Sequence, residues 1–230
     1  MNDTVAEAEQ RNDLPSDSRG DLRGDLRERR RRATTSEISE AALTLFEQKG
    51  VAATTIHDIA VAAGVSDRTC FRYFPSKEES VLTLHLEFES PINAWLDHVD
   101  STKPPLPQLE EVYAEVLSSL DGPLADLAQH QLRVRRLMFQ EPQLRAAAFS
   151  LDAAACWSVA QRISTAFGGE VSPEEARLVT EFAGIAVRAA FDEWAELTDA
   201  GHQAVLGETY QRVREQLRST AATSQASNLR

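Results

Sequence analysis

Apolar residues recur at spacings of three and four along most of the chain, which is the period of an amphipathic helix. Glycine and proline interrupt these stripes, as at Gly50, at residues 121–123 and at residues 168–169. No stretch keeps the two-residue alternation of a β-strand. The pattern predicts an all-α protein. Its cleanest stripe comprises Leu109, Val112, Tyr113, Val116, Leu117 and Leu120.

The pattern divides the chain into four segments. Residues 1–33 are polar and arginine-rich and are expected to form a disordered arm. Residues 34–80 hold three short helical patterns, which predict a compact three-helix domain whose first helix starts at Thr34 or Thr35. Residues 81–218 predict a larger helical domain, and residues 219–230 a polar, disordered tail.

The stretch from Thr54 to Phe74 predicts two short helices joined by a tight turn. Gly64 stands where the first helix must stop, and Ser66 can cap the second. A helix-turn-helix that presents its second helix outward has the shape that enters a DNA major groove. On this second helix we expect one side to face inward and the other outward: Cys70, Phe71 and Phe74 against Asp67, Arg68 and Arg72.

Charge is distributed unevenly along the chain. The whole chain carries a net charge of −12, yet residues 27–77 hold nine Lys/Arg against six Asp/Glu. This window is therefore +3 and the remainder −15. Attraction to phosphate requires only local positive charge, so the acidic total does not exclude binding of nucleic acid.

Other classes of protein find little support. Cys70 and Cys156 lie in helical apolar patterns and are expected to be small buried residues, so we predict no disulfide, metal or cofactor. No apolar run reaches the length of a membrane span, and the polar N-terminus is unlike a signal peptide, which predicts a cytoplasmic protein. The sequence lacks the common catalytic motifs, so we do not expect an enzyme.

One run of residues resembles a known family. An apolar-striped helix ending in F-x-x-x-G precedes the pattern T-T-x-x-x-I-A-x-x-A-G-V-S-x-x-T-x-F-x-Y-F-x-S-K-E. This run, from Thr34 to about Leu82, is similar to the DNA-binding domain of the TetR/AcrR family of transcriptional regulators. The resemblance implies a homodimeric regulator, most often a repressor, that binds a palindromic operator and is released by a small-molecule effector.

The resemblance also implies roles at the DNA. Thr54 or Thr55 would donate to a phosphate, as would Lys77. Asp67 and Phe71 depart from the family pattern and leave the base preference open. The arginines of the N-terminal arm either follow the DNA backbone or belong to a solvated leader that makes no DNA contact. The full predicted DNA-binding set is Thr54, Thr55, Ser66, Asp67, Arg68, Thr69, Phe71, Arg72, Tyr73 and Lys77, with Arg30, Arg31 and Arg32 from the arm.

Two further sets follow from the family's helical second domain. A lipophilic effector of unknown identity would occupy a pocket lined by Phe88, Trp95, Tyr113, Leu117, Met138, Phe139, Phe149 and Trp157. The same residues are equally suited to an ordinary core. The last two helices would pair with those of a second copy through Phe182, Ala186, Ala190, Leu206, Tyr210 and Val213. The alternative function is an all-α ligand-binding or adaptor protein that keeps the fold without binding an operator.

Overall fold

The computed structural model describes the backbone of residues 16–227 and the side chains of residues 26, 27 and 29–220. Within this part of the chain the regular structure is helical throughout, which confirms the predicted all-α class. The elements are α1 (Ser16–Lys49), α2 (Ile56–Ala62), α3 (Asp67–Tyr73), a 3-10 helix (Glu79–Val81), α4 (His85–Asp97), α5 (Pro105–Ser119), α6 (Ala125–Gln140), α7 (Pro142–Ala166), α8 (Pro173–Asp199) and α9 (Leu206–Ser227).

Both ends of the described chain are more helical than the sequence predicts. Helix α1 begins at Ser16 instead of Thr34 or Thr35, which corrects the expected disordered arm from Ser16 onward. Residues 25–33 contain no glycine, proline or β-branched residue, so nothing there stops a helix. Helix α9 continues to Ser227, which corrects the tail expected after residue 218. Residues 1–15 and 228–230 lie outside the described part.

The chain divides into two compact units between Glu37 and Ile38. The boundary predicted at residue 80 falls inside the second unit. This unit holds two clusters of buried apolar side chains. The first core comprises Ile38, Ala42, Leu43, Phe46, Val51, Ile59, Ala60, Cys70, Phe74, Val81, Leu82, Val134, Leu137 and Leu144. The second core collects side chains from α4 to α9, among them Ile163, Phe191 and Tyr210.

Helix α6 contributes to both cores of the second unit. Val134 and Leu137 belong to the first core, while Ala128 and Leu132 belong to the second. The side chains that α6 presents to α1–α3 and those that it presents to α4–α9 therefore sit on one rigid element.

No continuous helix connects α3 to α4. Ser76 does cap a turn, since its hydroxyl accepts from the Glu79 N–H at 3.2 Å. The turn is a 3-10 helix, however, and α4 starts only at His85. Residues 80–83 are all buried, and a regular helix would leave one of its faces exposed to solvent.

Candidate nucleic-acid interface and ligand cavity

Helices α2 and α3 form the predicted helix-turn-helix. Gly64 has a φ of 68°, a conformation that favours glycine, and the next N–H, that of Val65, donates to the Ala60 carbonyl at 2.9 Å. Cys70 on α3 and Phe74, which caps the end of α3, are buried against α2 and α1. These two contacts decide which side of α3 faces outward.

Side-chain hydrogen bonds cap the starts of both helices, and the cap at Ser66 was predicted. The Thr55 hydroxyl accepts from the Asp58 N–H at 3.1 Å, and the Asp58 carboxylate accepts from the Thr55 N–H at 2.9 Å. Lys49, with these Thr55 bonds, holds the pKa of Asp58 well below its usual range. At α3 the Ser66 hydroxyl accepts from the Thr69 N–H at 3.1 Å. Both caps fix the direction of their helices.

The outward side of α3 carries two cations and an aromatic ring. Arg68, Phe71 and Arg72 are exposed, and the Arg72 guanidinium lies 5.2 Å from the centre of the Tyr73 ring. Phe71 was expected to face inward; it is instead 57% exposed, because the i, i+4 pair Cys70 and Phe74 forms the inner side. An exposed phenylalanine beside two arginines suits contact with base edges and phosphates.

Two predicted phosphate contacts have internal roles instead. Thr54 is 1% exposed, and its hydroxyl donates to the Gly50 carbonyl at 2.8 Å. The Lys77 ammonium donates to the carbonyls of Val51 (2.6 Å) and Thr54 (2.8 Å). These bonds hold the loop between α1 and α2, since the loop carbonyls need donors that no helix supplies. Thr55 remains exposed, with its hydroxyl donating to Asp58 at 2.8 Å.

An unpredicted pair joins the two helices of the motif. The His57 Nδ1 on α2 lies 3.1 Å from the Asp67 Oδ1 on α3, and both side chains are exposed. The sequence could not reveal this contact, because the two residues are ten positions apart and meet only once the turn at Gly64 is formed. Asp67 therefore stands beside a group that can carry positive charge.

The arm arginines that were predicted to contact DNA lie on α1, in the first unit of the chain. Arg30, Arg31 and Arg32 are exposed there. Their contact with DNA stays a prediction.

A cavity of about 280 Å³ lies among helices α4 to α8. Most of its wall is apolar, with side chains such as Leu84, Ile92, Leu151 and Val187. Polar side chains from α6, α7 and α8 interrupt this wall. The volume is near the lower end of the range for small-molecule sites.

Three of the eight predicted pocket residues line this cavity, namely Phe88, Tyr113 and Met138. Phe88 and Tyr113 make an edge-on ring contact, with centroids 5.1 Å apart. Burial raises the pKa of Tyr113, so its hydroxyl stays protonated. The other five do not line this cavity: Leu117 and Trp95 pack in or against the second core, Trp157 is exposed, and Phe139 and Phe149 line a second cavity instead. The helical period alone does not separate a cavity wall from a core or an outer face.

Two ion pairs form a charged part of the cavity wall. Arg135 donates to Asp192 at 2.9 Å, and Arg188 lies 3.7 Å from Asp152. Burial lowers the pKa of Arg135 and raises that of Asp152. The same wall borders a second cavity of about 320 Å³, whose other lining includes Phe139, Phe149 and Ile185.

The predicted dimer residues are mostly inside the subunit. Ala186, Ala190, Leu206, Tyr210 and Val213 are buried in the second core, which corrects their assignment to a surface between subunits. A spacing of three and four is as typical of residues that pack against helices of the same subunit as of residues that pack against a second subunit. Phe182 is half-buried, and the large apolar side chains that α8 exposes are Leu178 and Ile185.

A capped helix-turn-helix with a basic outer side thus precedes the helices that enclose the cavity. Residues 38–82 match the family described as bacterial regulatory proteins, tetR family. This match confirms the resemblance of residues 38–82 to that family. None of the described helices has the length and apolar character needed to cross a membrane.

The relatives with printed names are transcriptional regulators. The HTH-type transcriptional repressor KstR2 of Mycobacterium tuberculosis is 33% identical over 45% of this chain and 52% of its own length. This chain thus spans about half the length of KstR2. The putative mycofactocin biosynthesis transcriptional regulator MftR of the same species is 28% identical over 72% of this chain and 82% of its own length. Among solved structures, Thermus thermophilus FadR, a TetR-family transcriptional repressor crystallised in complex with lauroyl-CoA, matches with a TM-score of 0.45. The match has 22% sequence identity and covers 80% of this chain and 92% of FadR.

Proposed function

We propose that the protein is a transcriptional repressor that binds a palindromic operator as a homodimer and leaves it when an apolar small molecule occupies the cavity. The observation that carries this proposal is the outer side of α3. Arg68, Phe71 and Arg72 stand exposed on a helix whose inner side is fixed by Cys70 and Phe74. Guanidinium groups on such a helix can grip guanine O6 and N7 in the major groove.

Helix α6 supports the link between effector and DNA. Its residues Gln131, Val134 and Met138 line the cavity. From the same helix Arg133 donates to Glu40 and Glu47 on α1, each at 2.6 Å. A ligand that shifts α6 therefore disturbs the element that supports the helix-turn-helix. The shift is a change of population, so the effector must bind the released form more tightly.

His130 adds a second bond between α6 and the DNA-binding part. Its Nε2 lies 3.2 Å from the Ser39 hydroxyl and 3.2 Å from the Val81 carbonyl. These partners come from α1 and from the 3-10 helix, so α6 is tied on both sides of the first core. Ser39 and Val81 are buried, so water cannot replace the hydrogen bonds that they lose if His130 moves.

The outer side of α8 supports dimerisation. Leu178, Phe182 and Ile185 follow one another at spacings of four and three, which is the seam of a helix pair. Leu178 is 71% exposed and Ile185 43% exposed. A single α3 covers too little DNA for tight binding, whereas two copies related by symmetry read both halves of a palindrome.

The test is fluorescence anisotropy with duplex DNA from the promoter region of the protein's own gene, at low salt and without ligand. We expect binding, and we expect Arg68→Ala and Arg72→Ala each to weaken it by about tenfold or more. Arg145→Ala, which removes an exposed arginine of α7, is the control and should leave binding unchanged. Absence of binding by the unaltered protein at low salt overturns the proposal.

The alternative is an adaptor that has kept the fold and lost DNA contact. Its motivation is Asp67, a carboxylate where phosphate is expected. Because His57 stands 3.1 Å from that carboxylate, its charge is compensated whenever the imidazole is protonated. An adaptor would bind its partner equally well after joint replacement of Arg68 and Arg72 by alanine, which separates the two functions.

A further inference from the structure

The wall of the cavity of about 280 Å³ contains a buried side-chain amide whose N–H group has no partner among the described residues. Gln131 on α6 is 4% exposed, and its Nε2 makes no hydrogen bond to any described residue. A buried N–H that has lost water and gained no acceptor is unfavourable, and nearly all such groups in folded proteins are paired. Since Gln131 lines the cavity, an acceptor can reach it from a bound molecule.

A second donor lines the same cavity. Arg188 on α8 lies 3.7 Å from Asp152, and because a guanidinium carries five N–H groups, this single contact leaves donors that a ligand can use. Its Nη1 lies along α8 at Gly184, where an added Cβ would approach it to 3.3 Å. The glycine thus leaves room for the guanidinium against the helix.

Two further cations of the wall already have partners. Arg135 is paired with Asp192 at 2.9 Å, and Arg162 donates to the side-chain oxygen of Asn93. Glu89 is exposed at the end of the wall formed by α4. The rest of the lining is mainly apolar and includes Leu82, Phe88, Ile92, Val134, Met138 and Val187.

We infer that the cavity binds an apolar molecule carrying a carboxylate or carbonyl oxygen, and that Gln131 donates to this oxygen. The apolar wall removes the body of the ligand from water, and the amide N–H selects an acceptor over a donor. An alkylammonium ion is disfavoured, because it offers the Nε2 N–H of Gln131 no acceptor and would compete with Arg188 for Asp152. The inference rests on the proposed function, since it names the chemical class of the effector.

The link to DNA follows from the position of Gln131 in α6. The preceding residue, His130, contacts Ser39 and Val81 in the DNA-binding part. A ligand bonded to Gln131 therefore acts on the helix turn that holds these contacts. Apolar molecules of similar size that lack an acceptor oxygen occupy the cavity without engaging this residue.

Isothermal titration calorimetry with octanoate, methyl hexyl ketone and octylamine tests the inference on the full chain without DNA. We expect at least one oxygen-bearing probe to bind about tenfold or more tightly than octylamine. Gln131→Leu and Gln131→Met should each weaken that probe by about three- to tenfold and leave octylamine unchanged. Arg188→Met should weaken octanoate more than the ketone, because only octanoate carries a charge that can pair with the guanidinium.

Folding of the variants has its own readout. Both Gln131 variants should raise the thermal midpoint of the ligand-free protein, because an unpaired buried amide is replaced by an apolar group of similar size. Gln140→Leu, at the exposed end of α6, is the matched control and should alter neither selectivity nor ligand affinity. The inference is overturned if octylamine binds as tightly as the oxygen-bearing probes, if these do not bind at millimolar concentration, or if both Gln131 variants keep their selectivity. A failure of DNA binding, measured separately, would overturn only the proposed function.

Discussion

His57 and Asp67 face each other across the helix-turn-helix, with the imidazole Nδ1 3.1 Å from the carboxylate Oδ1. One belongs to α2 and the other to the first turn of α3. The carboxylate adds negative charge beside Arg68, on the helix proposed to approach phosphates. The imidazole offsets that charge when it is protonated, so the pair adjusts the attraction of α3 for DNA.

Replacing Asp67 by asparagine tests this effect. The change removes one negative charge at nearly constant size, so we expect tighter binding to operator and non-operator DNA alike, by severalfold at low salt. Anisotropy titrations at two salt concentrations measure it. Asp97→Asn, at an exposed position near the end of α4, controls for net charge and should have little effect. Weaker binding by the Asp67 variant would mean that the carboxylate itself contacts a base.

Lys77 should matter for stability and not for phosphate binding. Its ammonium donates to the carbonyls of Val51 and Thr54, so Lys77→Gln should lower the free energy of unfolding by about 1–3 kcal/mol. Chemical denaturation measures the loss. The salt dependence of DNA binding should stay as in the unaltered protein, because no phosphate contact is removed. Lys103→Gln, at an exposed lysine beyond α4, is the control, and a reduced salt dependence for Lys77→Gln alone would restore the phosphate role.

Arg133 should transmit the effector signal. It joins α6 to Glu40 and Glu47, so Arg133→Ala should leave octanoate binding intact and reduce the effect of octanoate on DNA affinity. We expect the coupling to fall by about 0.5–2 kcal/mol, measured as the ratio of DNA affinities with and without the probe. Arg136→Ala is the matched control, since Arg136 pairs with Asp199 on α8 instead. Equal coupling in both variants would exclude this route.

Cys156 offers a reporter for the cavity. It lines the cavity, and burial raises the pKa of its thiol to about 11. The thiolate is therefore scarce near neutral pH, and alkylation by iodoacetamide should be slow and should accelerate about tenfold per pH unit up to that pKa. Mass spectrometry of labelled protein follows the rate. A bound probe should slow it further, and Cys156→Ser should remove it, because Cys70 is buried in the first core. Fast labelling at neutral pH would contradict this environment.

The proposed dimer depends on the outer side of α8. Ile185→Glu should place a charge in the seam and shift the protein to monomers, with a loss of operator affinity of about tenfold or more. Sedimentation velocity measures the association state. Val205→Glu, at an exposed apolar position before α9, is the control and should leave the dimer intact. An unchanged association state for Ile185→Glu would exclude this surface.

The helix-turn-helix was largely predictable because its signals are local. Gly64, Ser66 and the Thr55–Asp58 cap each fix a few residues of backbone, and the structure has all of them where the sequence places them. The orientation of Phe71 was not predictable, since a seven-residue helix offers two overlapping apolar sides. Only the burial of Cys70 and Phe74 decides between them.

The cavity and the dimer surface were less predictable, because both depend on contacts between distant helices. The spacing of Leu206, Tyr210 and Val213 suits a helix partner, but it does not say whether that partner belongs to the same chain. The structure places all three in the second core. Gln131 gave no signal at all, since a glutamine in a helix is ordinary until its burial and its missing acceptor are known.

The first core is closed by Val134, Leu137 and Leu144, which come from α6 and α7, far along the chain from α1–α3. A fragment that ends after the 3-10 helix would expose an apolar groove to solvent where these three side chains pack. The helix-turn-helix part is therefore not an independent folding unit. Grafting it onto the effector half of a relative would require transplanting this strip of α6 and α7 along with it.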